Sequence, residues 1–159
     1  MSCHTGVLYL MARPALRRSL GQSKPTEWET GLLSGLDQRL KAADGKHMFP
    51  GFSKEPLASQ SIGVEAILAA YHLRDRASLD RLWATQIHEG EDAGAWKWLD
   101  VSLNPWETPA SKFFGAALAA VAAGEAPHEA LSNSAGKTGM RELTAYLLRE
   151  AASQPFTTG

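Results

Sequence analysis

Apolar positions recur at helical spacing along most of the chain, and nowhere do they alternate as a half-buried strand would. The clearest stripe is Trp28, Leu32, Leu36 and Leu40, with Leu33 beside it, and it predicts a helix over Thr26–Ala43. Pro25 presets the backbone for that start, and Glu27 and Glu29 suit the positive end of the helix. Upstream, Thr5–Leu20 reads as a helix that Pro14 kinks or ends, with Gly21 as its stop. Asp44–Ala58 is punctuated by Gly45, Pro50, Gly51 and Pro56 and reads as irregular, with Phe49 and Phe52 folding back on the core. Ser59 or Ser61 is the expected cap of the next helix. There Ile62, Ala66, Ala69 and Leu73 share one face, while Val64, Ile67, Leu68 and Tyr71 cover the others. Such a helix is central. Ser78 is then expected to cap a helix carrying Leu79, Leu82, Trp83 and Gln86, ending near Gln86.

Thr108 and Pro109 read as a cap and a first-turn proline. Phe113–Ala123 is almost wholly apolar, and Gly115, Ala116, Ala119, Ala120 and Ala123 leave one side small enough for close packing. Gly124 ends that helix, Glu125–Gly136 is a linker, and Gly139–Ala152 forms a last helix with Met140, Leu143, Leu147 and Ala151 inward. The result is an all-α fold of about six helices in antiparallel hairpins, one helical domain over residues 1–159. The segments Glu65–Ala70 and Gly115–Ala120 echo each other, as repeated hairpins would.

Four of the five tryptophans, Trp83, Trp96, Trp98 and Trp106, fall between Leu82 and Glu107. Rings this large bury much area at defined geometries, which predicts a rigid turn pinned between helices. The plain reading is that they are core; the alternative is that they line an apolar groove.

The chain's 159 residues and 44% apolar content fit one domain with a core of its own. A net charge of −1, from 16 basic and 17 acidic residues, argues against a nucleic-acid surface. The single cysteine, Cys3, excludes an internal disulfide and a cysteine-only zinc site. The apolar run Val7–Ala12 is too short to span a membrane and lacks the basic flank of a signal peptide. As written, the chain is expected to be cytoplasmic and to bind no membrane.

Candidate chemistry concentrates in His88-Glu89-Gly90-Glu91-Asp92. Hard cations take several oxygen ligands from flexible loops, so Glu89, Glu91 and Asp92 are candidate calcium ligands. His88, Asp100 and Glu107 are candidate catalytic residues, completing a metal site or activating a bound water. The spacing is not that of an EF-hand, and the competing reading is a solvated loop with Asp100 and Glu107 as caps. Glu65 and His72 share a helical face, either as a catalytic pair or as a satisfied buried one. His47 lies in a Gly/Pro-rich loop, where function often resides. No Gly-x-Ser-x-Gly elbow is present, and Gly136-Lys137-Thr138 lacks the rest of a phosphate loop.

The segment Leu82-Trp83-x-x-Gln86, followed by Gly94-x-Trp96, resembles the QW repeat of squalene cyclases and prenyltransferase-type α/α toroids. In those repeats a helix-end glutamine meets the tryptophan of the next loop; here Glu89–Ala93 would be an insertion. Met1-Ser2-Cys3-His4 resembles the second half of a Cys-x-x-Cys-His haem-attachment motif. Larger bacterial proteins that join such a motif to a cyclase-like repeat are similar over much of this length, including Ala12–Leu16. Their parent family is expected to be exported. The cyclase Asp-x-Asp-Asp acid motif and the prenyltransferase zinc set are missing, so the resemblance implies part of a toroid without terpene chemistry. It implies a binding or packing role, with an apolar groove for a small apolar or acyl-chain molecule, and an exposed flank suited to a homodimer. The alternative is a calcium-assisted hydrolase of small esters or lactones, such as acyl-homoserine lactones. A truncated c-type haem protein with His4 as axial ligand is a further one; the missing first thiol excludes two-thioether haem attachment.

Overall fold

The computed structural model describes residues 6–41, 55–100 and 107–154. These form seven α-helices: α1 Leu8–Ser19, α2 Glu27–Lys41, α3 Glu55–Leu73, α4 Arg76–Ala84, α5 Lys112–Gly124, α6 His128–Leu131 and α7 Ser134–Ala151. A 3-10 turn, Pro109–Ser111, leads into α5 behind a Thr108/Ser111 capping box. The chain is all-α over the described residues, with no strand among them. One isolated antiparallel bridge joins Gln86 to Trp96.

Helix α3 is the centre. It packs against α1, α2, α4 and α5, and Gly63–Tyr71 is buried throughout. Its all-round apolar pattern demands cover on every side. Helices α5 and α4 each also pack against α7. The four helices α3, α4, α7 and α5 therefore form a closed cycle of neighbours around one core.

The helix ends follow local chemistry. Gly21, at φ +66°, closes α1: its N–H bonds the Arg18 carbonyl, and the Gln22 N–H bonds that of Arg17. This is the two-bond Schellman closure, which needs the left-handed conformation that glycine adopts freely. Pro14 lies inside α1 without ending it. The carboxylate of Asp75, not Ser78, caps α4, accepting the Ser78 N–H at 2.8 Å. Asn133 caps α7 by accepting the Gly136 N–H at 2.6 Å.

Several boundaries differ from the sequence-based expectation. Helix α3 begins at Glu55, so Ser59 and Ser61 lie within it and do not cap it. Pro56 in its first turn is the reason: that position has no helical hydrogen bond to lose. The expected linker after Gly124 contains α6, and α7 starts five residues before Gly139 because Asn133 supplies a cap there. In α2 the expected inward Trp28 is 70% exposed, while its neighbour Glu29 is 1% exposed. Cys3, His4, His47, Phe49, Phe52 and Trp106 lie outside the described residues.

Candidate functional site

The turn after α4 is organised by Gln86 and Trp96. Trp96 is fully buried, and its indole N–H donates to the Leu82 carbonyl at 2.9 Å. The buried Gln86 amide donates to the carbonyls of Gly94 (3.0 Å) and Gly139 (3.1 Å), joining α4, the turn and α7. Around it, Ile87 N–H bonds the Ala95 carbonyl and Gly94 N–H bonds the Ile87 carbonyl, both at 2.8 Å. The loop 88–93 thus leaves and re-enters through one closed neck.

Rings lock this neck to the helices. Trp83 and Trp96 pack with centroids 6.1 Å apart, and Trp98 meets Phe114 edge-on at 5.7 Å. Trp83 lies on Gly139 of α7, where an added Cβ would stand 2.3 Å from its ring. Trp98 lies on Gly115 of α5 in the same way, at 2.4 Å. The small side expected on α5 therefore admits a tryptophan ring. Gly94, at φ +99°, runs so close to the Glu142 carbonyl that a Cβ would sit 2.2 Å from it. Trp83, Trp96 and Trp98 are core residues, each at most 3% exposed. Trp83 Nε1 and Gln86 Oε1 are buried and bond to no described residue. Each such group costs about 1–3 kcal/mol, which offsets part of the ring packing.

The acids predicted from sequence sit on the rim of this turn. His88 Nδ1 meets the Glu142 carboxylate of α7 at 2.8 Å. Asp92 pairs with Lys112 of α5. Arg149 of α7 donates to the Glu91 carbonyl at 2.7 Å and stacks over Tyr146. The Glu89 and Glu91 side chains are exposed, as is Asp100, whereas Glu107 is buried at 5% exposure. Among the described residues no three His, Cys, Asp or Glu side chains gather as a metal site would require. His88 and Asp92 turn to different helices, α7 and α5, while the Glu89 and Glu91 side chains on the same loop are exposed. His88, Asp92 and the Glu91 carbonyl fasten the loop to α5 and α7.

A second polar cluster was not singled out from sequence. Glu29 accepts the Thr26 N–H (3.0 Å) and hydroxyl (3.1 Å), while the Glu29 N–H bonds back to that hydroxyl at 3.2 Å. This is a capping box, and Thr26-x-x-Glu29 was its readable signal. The same carboxylate holds Arg13, at 3.0 Å, and Arg17 of α1. Burial pushes the Glu29 pKa up, but the Thr26 N–H, Arg13, the Thr26 hydroxyl and Arg17 outweigh it and hold it at about 2. Nearby, burial and the charges of Arg17 and Arg74 hold His72 down to about 4, against the pull of Glu29. Tyr71 completes the tie by donating its hydroxyl to the Met11 carbonyl at 2.9 Å. The cluster fixes α1 and α2 to the centre.

No helix of the described residues is long and apolar enough to cross a membrane. Comparison of the chain with family models, with curated proteins and with solved structures returns no match.

Proposed function

We propose that this chain is a helical packing module, similar in kind to one segment of a cyclase-type α/α toroid, which acts by docking onto another helical surface. The observation that carries this reading is the fate of the tryptophan-rich turn. Trp83, Trp96, Trp98 and the Gln86 amide are spent inside the core, and His88 and Asp92 are tied to α7 and α5. A terpene or acyl site would use such rings as a lining, and a metal site would leave the acids convergent.

The test is a thermal-shift titration with isoprenoid alcohols, acyl-homoserine lactones and calcium, followed by a lactone-hydrolysis assay before and after chelation. The expected result is no saturable shift and no turnover. A saturable shift with the apolar ligands would replace the packing reading by a groove. Calcium-dependent hydrolysis that is lost in Asp92→Ala would replace it by the lactonase.

A further inference from the structure

Of the exposed large apolar side chains among the described residues, Leu8, Leu16, Leu20 and Trp28 belong to α1, its cap and the first turn of α2. On α1 they form a face. Leu8, Ala12, Leu16 and Leu20 repeat every four residues with Ala15 and Ser19 between them, all exposed and none charged. The three leucines are 41–58% exposed. The inward side of the helix is used up: Val7 and Leu10 are buried in the core, and Arg13 and Arg17 hold Glu29. Through Glu29 the first turn of α2, and Trp28 with it, is fixed beside α1.

The charge of this region has one sign. From residue 1 to Thr26 the charged side chains are Arg13, Arg17, Arg18 and Lys24, with no acid among them, in a chain whose net charge is −1. Glu29 cancels only one of the two arginines it holds, and Glu27 is the one other acid near the start of α2. Arg18 and Lys24 are exposed, so a positive excess remains around the leucines.

We infer that the outer face of α1 lies on an anionic lipid surface, with its leucines in the headgroup boundary and Arg18 and Lys24 on lipid phosphates. Leucines on one face of a helix, arginines beside them and a nearby tryptophan are the chemistry of interfacial binding. The expectation of no membrane contact rested on the length a span requires, and a helix lying in the interface requires only one apolar face. A second copy of the chain fits this face poorly. It would set the same positive excess against itself, and one helix of 12 residues covers less than the roughly 800 Å² per partner of a standard interface. The inference goes beyond the packing reading and does not depend on it.

Cosedimentation of the full chain with vesicles tests this, comparing phosphatidylglycerol mixed into phosphatidylcholine with phosphatidylcholine alone. The expected result is reversible binding to the anionic vesicles that falls on the neutral ones and in high salt. Leu16→Glu should weaken it by about tenfold or more, and Arg18→Gln by about fivefold. Leu148→Glu, at an equally exposed leucine on α7, should leave it unchanged. Circular dichroism checks that the variants fold; all three positions are on the surface. No binding to anionic vesicles overturns the proposal, as does equal binding to neutral ones or a loss as large in Leu148→Glu as in Leu16→Glu. A dimer in sedimentation velocity that Leu16→Glu dissociates would also overturn it, giving the face to a second copy instead.

Discussion

Glu29 closes the first turn of its own helix and at the same time holds two arginines of α1. Removing one member of a buried pair costs roughly 3–5 kcal/mol because the other charges stay behind. Glu29→Gln should therefore lower stability by about 3 kcal/mol in urea denaturation at neutral pH. The pH dependence follows from the same residues. Glu29 is held at about 2, below its ordinary 4.5, so its contribution is present above pH 4.5 and lost as the pH falls toward 2. His72 is held at about 4, below its ordinary 6.5, so the unfolded chain takes up that proton first, and stability drops as the pH falls from 6.5 to 4. Unfolding free energy measured across this range should decline in two stages, and Glu29→Gln should flatten the lower one. Trp96→Ala, which empties a fully buried ring site, should cost about 3–5 kcal/mol by the same assay.

At the scale of elements, the helices are legible because each carries a long apolar period. Their ends are less so, because a single cap shifts them: Asp75 took the place expected for Ser78, and Pro56 drew α3 upstream. Which of Trp28 and Glu29 turns inward was not readable in α2 alone. The choice depends on Arg13 and Arg17, which α1 brings across. Helical glycines separate local propensity from packing. Replacing glycine by alanine in a helix ordinarily gains about 0.5–1 kcal/mol. Gly31→Ala in α2, where nothing lies within 4 Å, should show that gain as a raised Tm. Gly139→Ala and Gly115→Ala should instead lower it, because the new methyl meets Trp83 or Trp98 at about 2.3–2.4 Å. A gain at either of those two positions would mean the rings do not lie where the structure puts them.

For the molecule as a whole, the tryptophan-rich turn was legible as the pin between helices, since ring size and spacing are written in the sequence. The destinations of its acids were not, because Lys112, Glu142 and Arg149 come from α5 and α7, 20 to 58 positions away along the chain. Among the described residues no three His, Cys, Asp or Glu side chains gather, so adding calcium or a chelator should leave the Tm unchanged in a thermal scan. The neck formed by Ile87, Gly94 and Ala95 has a consequence of its own. Because the chain exits and returns at one fixed point, what lies between is an appendage on a finished joint. Evolution or an engineer can exchange or extend those six residues, altering what the molecule presents at that corner while the helices beneath keep their places.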